Sequence, residues 1–190
     1  MKYKFIEKEI CYTGEELAPH WIYKNFNLLG DSIVCFIGEC NVPIDHMVDL
    51  EDVLSNSHIY SKKMLHFIVE HFNISLIEGI LRQRLLVSIA KDSILPNLPN
   101  SYIIIRKGDD LFYNEGKLSV SIATKSITSV LIHFAMNIDA KDAPVKASGL
   151  ESEMNLNLEK IKILANDIMN NYCIENKEIS DASCKVKGVK

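Results

Sequence analysis

The segment from Arg106 to Asp139 holds a lysine that its neighbours fix in place. Gly108-Asp109-Asp110 is a turn signal, because glycine supplies positive φ and aspartate bonds its own backbone. Leu111 to Asn114 reads as a short strand and Glu115-Gly116 as a second turn. Leu118, Val120 and Ile122 then alternate with Ser119, Ser121 and Ala123 at strand period. A third break, residues 125–128, precedes the apolar run Val130 to Ile138. Three antiparallel strands in succession place Lys117 at the mouth of a hairpin. An ammonium held there can aim its charge at a carboxylate or phosphate. The same position also suits an ordinary surface lysine.

Other chemistry-bearing residues leave two uses open. Asp49, Glu51 and Asp52 lie within one short stretch. In a strand, Asp49 and Glu51 share a face and Asp52 points away. Such a pair suits Mg²⁺ or a substrate amine, and equally a solvated acidic edge. Arg82 and Arg84 interrupt an apolar helix and stand about 200° apart around its axis. They fit either ion pairs with Asp49, Glu51 or Glu78, or an anion gripped by a guanidinium fork. His46 and His58 match no zinc spacing, and His66 and His71 are too far apart for a helical metal pair. His20 suits a packed position as well as a site. The cysteines, five in number, include no Cys-x-x-Cys and read as reduced thiols. Cys35 and Cys40 face opposite sides of a strand and act as small buried apolar residues. No metal site is expected.

These residues need elements to position them. Lys2 to Cys11 reads as a strand. Thr13 or Gly14 caps a helix that buries Leu17, Trp21 and Phe26, with Pro19 as an alternative start. Leu29-Gly30-Asp31 is a turn, Ser32 to Ile37 a buried strand, and residues 38–45 a loop. Lys62 to Phe72 has a helical stripe, capped by Ser57 or Ser61. A second helix runs from Ser75 to about Ser93, burying Leu76, Ile77, Ile80, Leu81, Leu85 and Ile89. Residues 94–100 form a linker before a strand from Tyr102 to Arg106. Residues 140–149 form a loop before an amphipathic helix, Glu151 to Tyr172. The chain from Glu175 is polar and reads as a frayed tail. The pattern is α+β, a mainly antiparallel β-sheet packed against helices. Residues 1–174 form one domain and residues 175–190 a polar C-terminal tail.

Two resemblances bear on these residues. Gly108-Asp109-Asp110, Lys117-Leu118-Ser119-Val120-Ser121 and Ile132 to Asp139 with Asn137 together resemble biotin and lipoate protein ligases. In those enzymes an Asn-Asp turn leads by a strand to a Lys-apolar-x-Gly step. An apolar strand then ends near an Asn. The resemblance implies that Lys117 is catalytic and meets an acyl carboxylate and the phosphate of an acyl-adenylate. It places Gly108, Asp110 and Asn137 beside the substrate, and it implies ATP with Mg²⁺ as cofactor. Val120 stands where those ligases have glycine. Neither the Arg-Arg-x-Ser-Gly-Gly-Gly loop nor the Gly-Arg-Gly-Arg loop is present.

The second resemblance covers nearly the whole chain. Residues 29–34, 47–53, 64–72 and 80–86 look like a small archaeal family of uncharacterised function. Its fold is grouped with class II aminoacyl-tRNA synthetases and the biotin and lipoate ligases. A fold does not supply a reaction.

Composition narrows the classes. The chain has 190 residues, 47% hydrophobic and 24% charged, with a formal charge of −4. Nucleic-acid binding is not supported by that charge. No apolar run spans a bilayer and the N-terminus lacks a signal-peptide core, so a cytoplasmic protein is expected. The functional expectation is a small-molecule site that binds or transfers a carboxylic acid or acyl group, with Arg82 or Arg84 as a second anion contact. The alternatives are a binding or regulatory protein that has lost the ligase chemistry, and a synthetase-like protein handling an amino acid or tRNA. The apolar stripe of the last helix, together with the usual pairing of such folds, leads to an expected homodimer.

Overall fold

The computed structural model describes residues 1–56, 59–98, 103–141 and 146–189. Ser57, His58 and Tyr102 lie outside them. The centre of the molecule is a long strand, β3 (Ile59–Phe72), where a helix was expected. Residues 64–71 are all buried. Both edges of β3 are paired, with β2 (Ser32–Val42) on one side and β8 (Ser129–Asp139) on the other, both antiparallel. A strand covered on both faces is buried along its length, and such a run has no period that separates it from a helix.

The five-stranded sheet is completed by β1 (Lys2–Ile6), parallel to β2, and β7 (Ser119–Lys125), antiparallel to β8. Its order is β1-β2-β3-β8-β7. A small second sheet holds β4 (Ile104–Lys107), β5 (Asp110–Tyr113) and β6 (Gly116–Lys117). The antiparallel succession expected across this region is present, divided between the two sheets.

Alternate residues of β3 feed two cores. Leu65, Phe67 and Val69 pack with Phe134 beneath helices α3 (Leu76–Ile94) and α4 (Leu158–Cys184). Met64 and Ile68 pack with Val34, Phe36 and Ala135 beneath Tyr12 and the short helix α1 (Trp21–Phe26). Cys35 and Cys40 fall in different cores, as expected.

Several local expectations are corrected. α1 begins after Pro19. Residues 38–42 are strand rather than loop, with a register shift between Gly38 and Cys40. Asp49, Glu51 and Asp52 lie on no strand, because Asp49 caps a short helix, α2 (Leu50–Leu54). α3 turns Gly79, Gln83, Leu86, Val87, Ala90 and Ile94 inward and leaves Leu76, Ile77 and Leu81 exposed. The cause is close approach: a Cβ on Gly79 would lie 2.3 Å from Val130 Cγ1. Small residues let the helix axis come near the sheet, and that sets its rotation. α4 starts at Leu158, not Glu151, and runs past Glu175 to Cys184. Its expected stripe is buried against the sheet and α3, so that stripe offers no face for a second copy.

Gly38 gives a test of the two-sided packing. A Cβ there would sit 1.9 Å from the Ile10 carbonyl oxygen. Gly38→Ala should destabilise the fold by about 1–3 kcal/mol, as overpacking does, measured by urea denaturation. An unchanged midpoint would refute the contact.

Candidate functional site

The sheet face opposite α3 and α4 carries a cleft of about 70 Å³, open on one side. The far end of β2 supplies Cys40 and Val42, and β7 supplies Val120 and Ile122. His133 of β8 and Tyr12 form part of the floor. Met47, Val48, Asp49 and Asp52 close one wall. The β2 register shift lets Tyr12 bridge Cys40 and lay its ring over the sheet. That ring stacks on His133 at 3.8 Å between centroids.

Beneath Tyr12 lies a chain of hydrogen bonds whose direction can be derived. His66 Nε2 is 3.3 Å from the Gly38 carbonyl oxygen, which only accepts, so Nε2 carries the proton. Burial pushes His66 down to about 3, so the ring is neutral at ordinary pH and its Nδ1 is an acceptor. His133 Nε2 lies 3.1 Å from that Nδ1 and therefore donates to it. Burial also holds His133 well below the usual histidine value. Its remaining nitrogen, Nδ1, is then a lone-pair acceptor. Cys40 is no nucleophile here, since burial pushes its thiol up to about 12.

Lys117 lies beside Asp110, outside the lining of the cleft itself, and is clamped through its backbone. Its N–H donates to Lys146 O at 2.9 Å, and its carbonyl accepts from Ser148 N at 3.0 Å and Asn137 Nδ2 at 3.1 Å. Asn137 is itself oriented by the Ser61 hydroxyl, which donates to its Oδ1 at 3.1 Å. Lys117 Nζ is 2.8 Å from Asp110 Oδ2. Burial raises the Asp110 carboxyl above its usual value; Lys117 opposes that, while the charges of Asp109 and Asp52 add to it. Asp52 lines the cleft, which puts the Lys117–Asp110 pair within its electrostatic reach.

The other expected site residues separate. Asp49 lines the cleft, but Glu51 is exposed, and its backbone N–H bonds Asp49 Oδ1 at 2.9 Å. Gly108 has φ 64 and forms the turn next to Asp109. Arg84 is half-exposed beside that turn, 4.0 Å from Asp109. Arg82 belongs to the opposite face of the sheet. It donates to Asn176 at 2.6 Å and Glu78 at 2.7 Å, in a buried network that also joins Asp31, His71 and Tyr172. Its guanidinium is spent on bracing α3 against α4. Neither arginine lines the cleft. Sequence reasoning missed Tyr12 and His133. The usable signal was a histidine inside the apolar run 130–138.

A mixed sheet with helices on one face and a cleft on the other is the fold of biotin and lipoate protein ligases. Biotin protein ligase of Aquifex aeolicus superposes with a TM-score of 0.57 over 94% of this chain and 71% of its own, at 13% identity. That likeness shows the fold alone. The chain belongs to the family described as a domain of unknown function (DUF366), whose model matches residues 1–187. A protein of unknown function from Pyrococcus horikoshi has a TM-score of 0.88 at 31% identity, covering 99% of this chain and 100% of that one. The uncharacterized protein MJ0805 of Methanocaldococcus jannaschii is 39% identical over 183 residues, 92% of this chain and 79% of that protein. Among the described residues, no helix is long and apolar enough to cross a membrane.

The cleft does not fit the triphosphate that the ligase resemblance implies. Among the described residues its lining contains Asp49 and Asp52 and no Lys or Arg. Val120, in place of a ligase glycine, turns its side chain into the free space.

The histidine chain has a pH signature. His66 and His133 have depressed values in the fold, so the unfolded state binds protons that the native state does not. Stability is therefore full above the ordinary histidine value of 6.5 and falls as pH drops below it. Each ring should contribute about 1.4 kcal/mol per pH unit. Denaturation of His133→Gln between about pH 6 and pH 5 should show a slope smaller by that amount. Identical slopes would count against two neutral buried rings.

Proposed function

We propose that this protein binds a small carboxylic acid or acyl group in the cleft, in the cytoplasm, with Lys117 as the contact for the carboxylate. The clamping of Lys117 carries this reading. Its backbone is held on both sides and its ammonium is aimed by Asp110. Fixing a lysine normally costs rotamer entropy when a ligand arrives, and here that cost is met in the fold. Asp110 occupies the place of the ligand's carboxylate. Its burial and two like charges weaken its hold, so an incoming carboxylate can displace it. Val42, Met47, Ile59, Val120 and Ile122 offer apolar contact for the body of the acid. The lack of a cationic cradle in the lining favours a binding or sensing role over ATP-dependent ligation.

A thermal-shift screen of short acids, with and without Mg²⁺ and ATP, tests this. A ligand at a hundred times its Kd should add about 2.7 kcal/mol of stability. Lys117→Ala should alter the unliganded protein by about 1 kcal/mol or less and lose the ligand response. Lys117→Arg should lose it too, since a planar fork does not replace a compact ammonium. An undiminished response in both variants would overturn the assignment. Stabilisation that requires ATP would restore the ligation alternative.

A further inference from the structure

The inner part of the cleft offers hydrogen-bond acceptors and negative charge. Asp52 is half-buried, lines the free space, and has no ion pair or side-chain hydrogen bond among the described residues. Asp49 spends Oδ1 on the Glu51 amide at 2.9 Å and keeps its second oxygen unbonded among the described residues. His133 is only 4% exposed, and its single side-chain bond is the one its Nε2 gives to His66. That direction is fixed by the Gly38 carbonyl and leaves Nδ1 as an acceptor without a partner, in a residue that lines the cleft. Tyr12 is also 4% exposed and lines the cleft, and its hydroxyl has no hydrogen bond among the described residues. Two largely buried side chains thus present unpaired polar atoms beside two carboxylates.

We propose that the acid held by Lys117 carries an amine at its other end, and that Asp52, Asp49 and His133 Nδ1 receive its ammonium. This rests on the assignment of the cleft as an acid site. An ammonium has three N–H donors and no acceptor, which matches the set it meets. A second carboxylate placed there would face lone pairs and like charge, so the lining rejects diacids as well as selecting amines. Lys117 and the acids are then together complementary to a zwitterion, with Asp52 near enough to act electrostatically on Asp110, the carboxylate that pairs with Lys117. A compact amino acid with an apolar body is the chemical class that fits.

Titration followed by the methyl resonance of Met47, which lines the cleft and is assigned with Met47→Leu, tests the amine. The probes are straight-chain ω-amino acids and alkanoates of matching length. The best amino acid should bind at least about tenfold more tightly than its alkanoate, the worth of one charged contact. Asp52→Asn should remove that advantage, read as the ratio of the two affinities, because Asp52 also acts on Asp110 and so on the carboxylate end. Asp49→Asn keeps the helix cap and serves as the second variant, with the same expected selectivity. If alkanoates bind as tightly as the amino acids, the amine inference falls and the acid site stands. The inference also falls if Asp52→Asn weakens both series equally. If neither series moves the Met47 resonance, the acid site falls with it.

Discussion

Everything in this fold depends on β3 being covered on both faces and paired on both edges. Its backbone donors and acceptors are satisfied by β2 and β8, so it can lie at the centre without unpaired polar groups. Its side chains then go alternately to two separate cores. Helices α3 and α4 cover one, while Tyr12 and α1 cover the other only in part. The remainder of that second face, beyond Tyr12 and against β7, is the cleft.

The same alternation gives the two histidines of β3 opposite work. His71 points to the helix side, where Asp31 bonds its Nδ1 at 2.9 Å and Tyr172 its Nε2 at 2.9 Å. Burial works against ionised Asp31, but the His71 bond, the Phe72 amide and the charges of His71 and Arg82 outweigh it and hold the carboxyl low. The network ties the end of β3 to both helices. His66 points to the cleft side and has no charged partner. It passes the direction of one carbonyl dipole through two neutral rings to the cleft floor. One histidine braces the fold, and the other sets the polarity of a surface that ligand can reach.

What could be read from the sequence follows from which residues are half-exposed. The strands from β4 to β8 were legible because Val120 and Ile122 alternate with smaller residues and Gly108 marks a turn, although the second turn falls at Asn114-Glu115, with Gly116 on β6. Ser75 starts its helix as expected, accepting from the third residue on. β3 was illegible because double burial erases its period. The inward face of α3 was illegible because its determinant is Gly79 against Val130, a contact between residues far apart in sequence. Lys117, Asp110 and Asn137 lie together. Arg82 lies apart from them, because its partner Asn176 lies on α4, which the sequence does not place.

Asn137 shows how site and fold are joined. Its side chain takes the Ser61 hydroxyl from β3 and gives hydrogen bonds to the carbonyls of Lys117 and Ser148. Its own backbone N–H donates to Leu118 O, and its carbonyl accepts from Leu150 N. One buried amide therefore connects the central strand, the small sheet and the segment leading to α4. The short β6 has only two residues and pairs only with β5 in its sheet, so it would not hold a lysine still by itself. The backbone at Lys117 is tied to β3 through Asn137 and the Ser61 hydroxyl.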